Sequence, residues 1–104
     1  MATNKVAHKY TGLSSLFEQQ AVTVFSSKTG DQVGTKTVTK SGYRPICMAG
    51  YSMSGTYSGR AVIHRLRLAD SADGTTTIQY SINCPTYSGS SSTLTVYICW
   101  MKLT

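Results

Sequence analysis

The sequence predicts an all-β fold, an antiparallel β-sandwich of about six to eight strands, and three observations lead to this prediction. First, apolar and polar residues alternate with a period of two through most of the 104 residues. Second, the alternating runs are short and are separated by Gly-, Ser- and Asp-containing turns. Third, hydroxyl groups supply the polarity, because the chain has 14 Ser and 15 Thr and only 13% charged residues. A single domain of this size buries one modest core.

The first twenty residues lack a clear strand pattern and are interpreted as an N-terminal extension or linker, followed by a β-sandwich domain over residues 21–104. Two alternatives stay open for this stretch: an added strand at Val6–Tyr10, or a linker from a longer polypeptide. The apolar spacing in Leu13–Gln20 fits one or two helical turns. Met1–Tyr10 contains no apolar segment of a signal peptide, and no apolar run approaches the ~18 residues that span a bilayer.

The first two clear strands are Ala21–Phe25 and Val33–Lys40, the second of which is rich in β-branched Val and Thr. Turn-forming residues at Lys28–Asp31 lie between them, so the two strands are predicted to form a hairpin. After a short break, Tyr43–Met53 is predicted as a third strand. Its Pro45 lacks an N–H donor, which indicates a position near the start of the strand or at a sheet edge.

A second hairpin is predicted from Arg60–Ala69 and Thr75–Asn83, joined by the compact turn Asp70–Gly74. Alternation in the first of these strands separates two sets of side chains, namely Val62, His64, Leu66 and Leu68 on one face and Ile63, Arg65, Arg67 and Ala69 on the other. The second set, which is basic, is expected to face water. In the returning strand the residues predicted to point inward are Ile78, Tyr80 and Ile82.

The last strand is predicted at Ser92–Met101, after the Ser/Gly-rich loop Pro85–Ser91. Both faces of this strand are apolar: one carries Leu94, Val96, Ile98 and Trp100, and the other carries Tyr97, Cys99 and Met101. Such a strand is central in its sheet, or its outer face is covered by another subunit. The second set of residues is therefore a candidate interface between subunits.

The three cysteines, Cys47, Cys84 and Cys99, cannot all pair within one chain. None lies in a CxxC motif or has a His at zinc-ligand spacing, so no metal site is expected. Buried free thiols in a reducing compartment are expected. The alternative is a single disulfide with one thiol left over.

The charge and the polar residues argue against nucleic-acid binding and against enzymatic chemistry. The net charge of +6 favours anionic partners, but the basic residues are dispersed rather than clustered in an arm. His64 alternates with apolar residues, as expected of a core or interface position. Asp70 and Asp73 share one turn, where carboxylates usually accept bonds from backbone N–H groups, and a weak calcium site is the alternative. No catalytic residue and no cofactor are predicted.

Three stretches carry a resemblance to a known family: KSGYRPI at residues 40–46, AGYS at 49–52 and TVYI at 95–98. With the strands around them, residues 20–104 resemble the C-terminal β-domain of phage and prophage tail-fibre or minor tail structural proteins that bind receptors. The resemblance implies a virion component of the phage tail, made in the bacterial host cytoplasm. It also implies a homotrimer that contacts other virion tail proteins.

The candidate ligand-binding residues are three tyrosines and three arginines: Tyr51, Tyr57, Tyr87, Arg60, Arg65 and Arg67. The tyrosines lie on or beside two Ser/Gly-rich loops, Ser54–Gly59 and Pro85–Ser91, and Tyr with Ser and Gly is typical of adaptable recognition surfaces. The arginines are predicted to form a basic stripe on one strand, suited to phosphate or carboxylate groups or, alternatively, simply solvated.

Together these features predict a non-enzymatic tail-fibre tip that recognises a host cell-surface polysaccharide or protein receptor without inserting into the membrane. Two alternatives stay open. One is a virion structural or decoration protein that binds only other virion subunits, and the other is a stand-alone, lectin-like carbohydrate-binding protein.

Overall fold

Six strands form the part of the chain that the computed structural model describes, residues 16–103. In chain order they are β1 (Phe17–Lys28), β2 (Gly30–Thr39), β3 (Tyr43–Ser54), β4 (Val62–Ala72), β5 (Thr75–Cys84) and β6 (Ser92–Lys102), with a 3₁₀ turn at Ser58–Arg60. They form two antiparallel sheets in the strand orders β1-β6-β3 and β2-β5-β4. The two sheets pack together, which confirms the predicted all-β sandwich.

The central strand of each sheet supplies most of the core. The apolar face predicted for β6 is completely buried, with no exposed surface on Leu94, Val96, Ile98 and Trp100. In β5 the buried apolar residues are Ile78, Ile82 and Cys84. The Trp100 indole N–H donates to Gln20 Oε1 at 2.9 Å, so the polar atom of this buried ring has a partner. The prediction that the last strand is central is confirmed, because β6 lies between β1 and β3.

The hairpin predicted between the first two strands is wrong. β1 pairs with β6 and β2 pairs with β5, so consecutive strands belong to different sheets. Only Thr29 separates them, and the backbone at this corner has positive φ at Ser27 (53°) and at Gly30 (75°). Turn-forming residues serve a corner between two sheets as well as a hairpin, which is why the sequence pattern did not distinguish the two connections.

The N-terminal boundary of the sandwich also differs from the prediction. β1 begins at Phe17, so the last residues of the predicted linker form a strand rather than a helical turn. Their register continues that of Ala21, since Phe17 pairs with Met101 in the same ladder. The alternative strand at Val6–Tyr10 lies outside the described residues.

The second hairpin, β4 with β5, is confirmed, but β4 is less regular than predicted. Its register shifts between Ile63 and Arg65, so that Ile63 pairs with buried Ile82 and His64 is the extra residue. An extra residue of this kind reverses the alternation of side chains beyond it. Val62 therefore does not share a face with Leu66, and His64 is exposed rather than in the core. A second shift, between Ala69 and Ala72, extends the strand through part of the predicted turn.

The edge position predicted for Pro45 is confirmed, because β3 pairs only with β6. The β3–β4 and β5–β6 connections lie at the same end of the sandwich as the corner between β1 and β2. We call this end the loop end. The β2–β3 and β4–β5 connections lie at the opposite end, which we call the turn end.

Candidate functional site

Two loops that the sequence singles out, Ser54–Gly59 and Pro85–Ser91, meet at the loop end. The Ser91 N–H donates to the Thr56 carbonyl at 3.1 Å. Beside this bond Gly55 has a φ of +116°, and a Cβ added there would overlap the carbonyl oxygen of Ser91. Glycine is therefore required at residue 55 by the backbone conformation and by the close approach of the second loop.

Hydrogen bonds within each loop hold the shape of both. In the second loop the Ser90 hydroxyl donates to the carbonyls of Pro85 (2.9 Å) and Tyr87 (2.7 Å), and the Ser90 N–H also donates to Tyr87 (2.9 Å). In the first loop the Arg60 N–H donates to the Tyr57 carbonyl at 3.0 Å, which forms the 3₁₀ turn. Tyr57 itself has a φ of 64°, a left-handed conformation that is costly for a residue with a side chain.

Three of the six candidate ligand residues come together on these loops. The rings of Tyr57 and Tyr87 meet edge to face, with centroids 5.4 Å apart and planes at 69°. The Arg60 guanidinium carbon lies 5.7 Å from the centroid of the Tyr87 ring, within the range of a cation–π contact. With Ser88 these residues line an open depression of about 430 Å³. We call this group of residues the Tyr–Arg site.

The Tyr–Arg site has the chemistry of a binding surface. Tyr57 is 50% and Tyr87 52% exposed, so about half of each side chain is open to a ligand. Among residues 16–103, no carboxylate forms an ion pair with Arg60. A second depression, of about 210 Å³, adjoins the first and shares Arg60 and Tyr87 with it. The arrangement therefore suits an extended ligand with flat apolar faces and an anionic group.

The other three candidate ligand residues do not line this site. Tyr51 lies within β3, whereas Arg65 and Arg67 lie in β4. The predicted stripe of three arginines is wrong, because Arg60 belongs to the 3₁₀ turn and only the other two lie on the strand. Arg67 Nε donates to Gln79 Oε1 at 2.8 Å, so this side chain is held along the sheet.

The outer face of the β2-β5-β4 sheet carries a depression that the sequence analysis did not identify. It measures about 490 Å³, and its lining includes Val33, His64, Arg65 and Gln79. The register shift at His64 puts two basic side chains next to each other there. Regular alternation places His64 and Arg65 on opposite faces of the strand. No signal in the sequence therefore indicates that the two side chains lie next to each other.

The turn residue Asp73 has a structural partner. Arg44 Nε donates to Asp73 Oδ1 at 2.8 Å, and this bond to the guanidinium lowers the pKa of the Asp73 carboxyl below its usual value. The bond therefore links β3 to the β4–β5 turn. The structure shows no cluster of three or more His, Cys, Asp or Glu residues that could hold a metal ion between residues 16 and 103.

The cysteines differ from the expected set of buried thiols. Cys84 is buried, and desolvation raises the pKa of its thiol. Cys99 is half-buried and Cys47 is exposed, so the expectation is wrong for Cys47. Cys99 shares the outer face of β6 with Tyr97 and Met101, which are also half-buried.

Comparisons of this chain with family models, with curated proteins and with solved structures gave no significant match. For the described part of the chain, no helix is long and apolar enough to cross a membrane.

Proposed function

We propose that this chain is a non-enzymatic receptor-binding module, and that the Tyr–Arg site binds a cell-surface glycan carrying an acidic group. The observation that carries the proposal is the meeting of Tyr57, Arg60 and Tyr87 at one open depression, although they come from two loops far apart in the sequence. Glycan rings pack their C–H faces on tyrosine rings, and a guanidinium binds carboxylate or phosphate with two parallel hydrogen bonds.

The construction of the two loops supports a recognition role over a purely structural one. Gly55 and the Ser90 hydroxyl hold the backbone, and this leaves the side chains of Tyr57 and Tyr87 half exposed. The strained backbone of Tyr57 fits the same role, because such conformations persist where a side chain must be held in a functional position. A preorganised surface loses little conformational entropy on binding.

The test is glycan-array screening followed by calorimetric titration of the best acidic glycan. We expect Tyr57→Ala and Tyr87→Ala each to weaken binding about fivefold, because each removes a stacking surface worth on the order of 1 kcal/mol. Arg60→Gln is expected to weaken binding of the acidic glycan by tenfold or more, since a hydrogen bond to a charged group contributes roughly 1.5–3 kcal/mol. It should leave a neutral analogue of that glycan nearly unaffected.

The chain offers matched controls for both residue types. Tyr51 is 51% exposed, almost the same as Tyr57 and Tyr87, and Arg65 is an exposed arginine outside the site. Tyr51→Ala and Arg65→Gln should keep the wild-type affinity. Equal losses in the control and site variants, or unchanged binding in all three site variants, would contradict the proposal.

We further propose that the module is the tip of a phage tail fibre, on the basis of the resemblance over residues 20–104. In this setting the chain is a virion component and a homotrimer, and the loop end faces the host cell. Tail genes adjacent to its own gene would support a virion role, whereas a gene surrounded by cellular carbohydrate-metabolism genes would favour the stand-alone lectin.

A virion structural protein that binds only other virion subunits is the second candidate. The observation that favours it is the partly apolar outer face of the β1-β6-β3 sheet, where Phe17 is 44% exposed beside its partner Met101. A virion that still adsorbs to host cells when the Tyr57, Arg60 and Tyr87 substitutions are combined would support this candidate over the receptor-binding one.

A further inference from the structure

Two of the three cysteines lie opposite each other on neighbouring strands. Cys47 of β3 pairs with Cys99 of β6 in the antiparallel register, so the two side chains project from the same face of the sheet. Directly opposite residues have Cβ atoms about 4.5–5.5 Å apart, whereas disulfides have Cβ atoms about 3.5–4.5 Å apart. A bond between the two sulfurs therefore requires an approach on the order of 1 Å.

The strand that carries Cys47 can make this approach. β3 is an edge strand that is bonded only to β6, and its register shifts on both sides of Cys47, between Pro45 and Cys47 and between Met48 and Gly50. Bulged segments of an edge strand adjust more easily than a central ladder does. The two register shifts therefore give the backbone around Cys47 room to adjust toward Cys99.

The three thiols differ in solvent access. In the single chain Cys47 is exposed and meets a small reagent first, whereas Cys99 is half-buried beside it. Desolvation raises the pKa of Cys99, and the neighbouring Cys47 thiol raises it further, as expected for two thiols in close contact. Cys84 is buried in the other sheet, opposite Gly30, and cannot compete for either sulfur.

We propose that Cys47 and Cys99 form a cross-strand disulfide when the folded protein meets a small-molecule disulfide such as oxidised glutathione. The Cys47 thiolate attacks one sulfur of the glutathione disulfide, so a mixed disulfide forms and one glutathione thiolate leaves. The Cys99 thiolate then attacks the Cys47 sulfur and releases the second glutathione thiolate. Two protein thiols are oxidised, one glutathione disulfide is reduced to two glutathione molecules, and the protons of the protein thiols end on these products.

The disulfide would link the edge strand β3 covalently to the central strand β6. It arises from the thiol pair alone and does not depend on the proposed glycan function. A protein assembled in a reducing compartment would gain this covalent link only after release into an oxidising one.

The test is mass spectrometry of the folded wild-type chain after incubation with oxidised glutathione. We expect the mass to fall by that of two hydrogen atoms, with a Cys47–Cys99 cross-linked peptide after proteolysis and one thiol, Cys84, free for alkylation after unfolding. The melting temperature of the oxidised protein should rise by roughly 10 °C, since closing a loop of this length constrains the unfolded chain. Adding a reductant should reverse the rise.

Three variants make the result specific. Cys84→Ser should close the disulfide like the wild type. Cys99→Ser should stop at the mixed disulfide, with one glutathione on Cys47, and Cys47→Ser should show neither product. Since residue 47 is exposed and residue 99 half-buried on the outer face, serine at these positions leaves the core intact. A stable mixed disulfide in the wild type, a disulfide-linked dimer, or no reaction at all would overturn the proposal.

Discussion

The close approach of the two loops depends on one residue without a side chain. Gly55 has a left-handed φ of +116° and lies against the Ser91 carbonyl, so its backbone conformation and its surroundings both exclude a Cβ. On the neighbouring turn Gly59 has neither constraint, because no atom lies within 4 Å of its added Cβ and its φ is not positive. Alanine substitutions at these two glycines therefore separate the effect of losing a glycine as such from the effect of the backbone conformation and close contact at residue 55.

We expect Gly55→Ala to lower the free energy of unfolding by about 2 kcal/mol, because alanine at this φ is strained and its methyl group must displace Ser91. The same substitution should weaken glycan binding by moving Tyr57 relative to Tyr87. Urea unfolding followed by tryptophan fluorescence measures the first effect. Gly59→Ala is the matched control and should change stability by less than about 0.5 kcal/mol; equal losses in the two variants would contradict this account.

At the scale of the elements, both ion pairs of residues 16–103 lie at the turn end and connect the two sheets. Lys40 Nζ lies 2.6 Å from Glu18 Oε2 and joins the end of β2 to β1, and the Arg44–Asp73 pair joins β3 to the β4–β5 turn. The Lys40 ammonium lowers the pKa of Glu18 as the Arg44 guanidinium lowers that of Asp73. Both carboxylates are thus more acidic in the folded than in the unfolded protein.

This difference predicts how stability depends on pH. A carboxyl group with a lowered pKa in the folded state stabilises that state above its unfolded pKa, near 4, and loses the contribution as the pH falls through the folded value. The melting temperature should therefore be level from pH 7 to about 5 and fall below that. Because both pairs are exposed, the contribution is small and should shrink with added salt.

The control is the double variant Glu18→Gln with Asp73→Asn, measured by scanning calorimetry between pH 7 and 2.5. Asp31 and Asp70 remain in this variant, so any pH dependence that they cause is present in both proteins. The variant should be slightly less stable at pH 7 and should show a shallower decline at low pH. An identical decline in the two proteins would assign the acid sensitivity to other groups.

Sequence patterns correctly predicted features that depend on the residues of one strand, but not features that depend on which strands pair. The alternation from Leu94 to Trp100 identified the core face of β6, because this central strand has a neighbouring strand on each side and keeps a regular alternation. Lys28–Asp31 led to the wrong prediction of a hairpin, since one set of turn residues serves either a hairpin or a corner between sheets. Regular alternation placed His64 on the wrong face, because the register shift that exposes it depends on pairing with β5.

The same distinction applies to the candidate site. Residue type identified these residues separately: Tyr57 and Tyr87 as tyrosines beside Ser and Gly in loops, and Arg60 as part of the predicted arginine stripe. Their meeting depends on the antiparallel order of four strands, which brings the β3–β4 and β5–β6 loops to one end. Tyr51 was predicted as a ligand-binding residue for the same reason as Tyr57 and Tyr87. It lies within β3, however, and does not line the Tyr–Arg site.

For the whole molecule, the two outer faces of the sandwich differ in chemistry. The β2-β5-β4 face carries mostly hydroxyl, amide and basic side chains, such as the Thr37–Thr77 pair with oxygens 3.3 Å apart and Gln79 bonded to Arg67, together with the exposed Val33. The β1-β6-β3 face carries Phe17, Tyr97 and Met101 in one region of the sheet. Partly exposed aromatic and Met side chains are typical of protein interfaces, whereas a Thr-rich face remains stable in water.

If the β1-β6-β3 face is the subunit interface, light scattering in reducing buffer should give a mass near three times 11.2 kDa. Tyr97→Glu should then lower the mass toward that of a monomer, because a carboxylate at the interface would be desolvated without a partner. Thr35→Glu adds the same charge to an exposed position in β2 and should leave the trimer intact. A monomeric wild type would remove the trimer from the fibre-tip proposal and leave a single Tyr–Arg site per particle, which favours the stand-alone lectin.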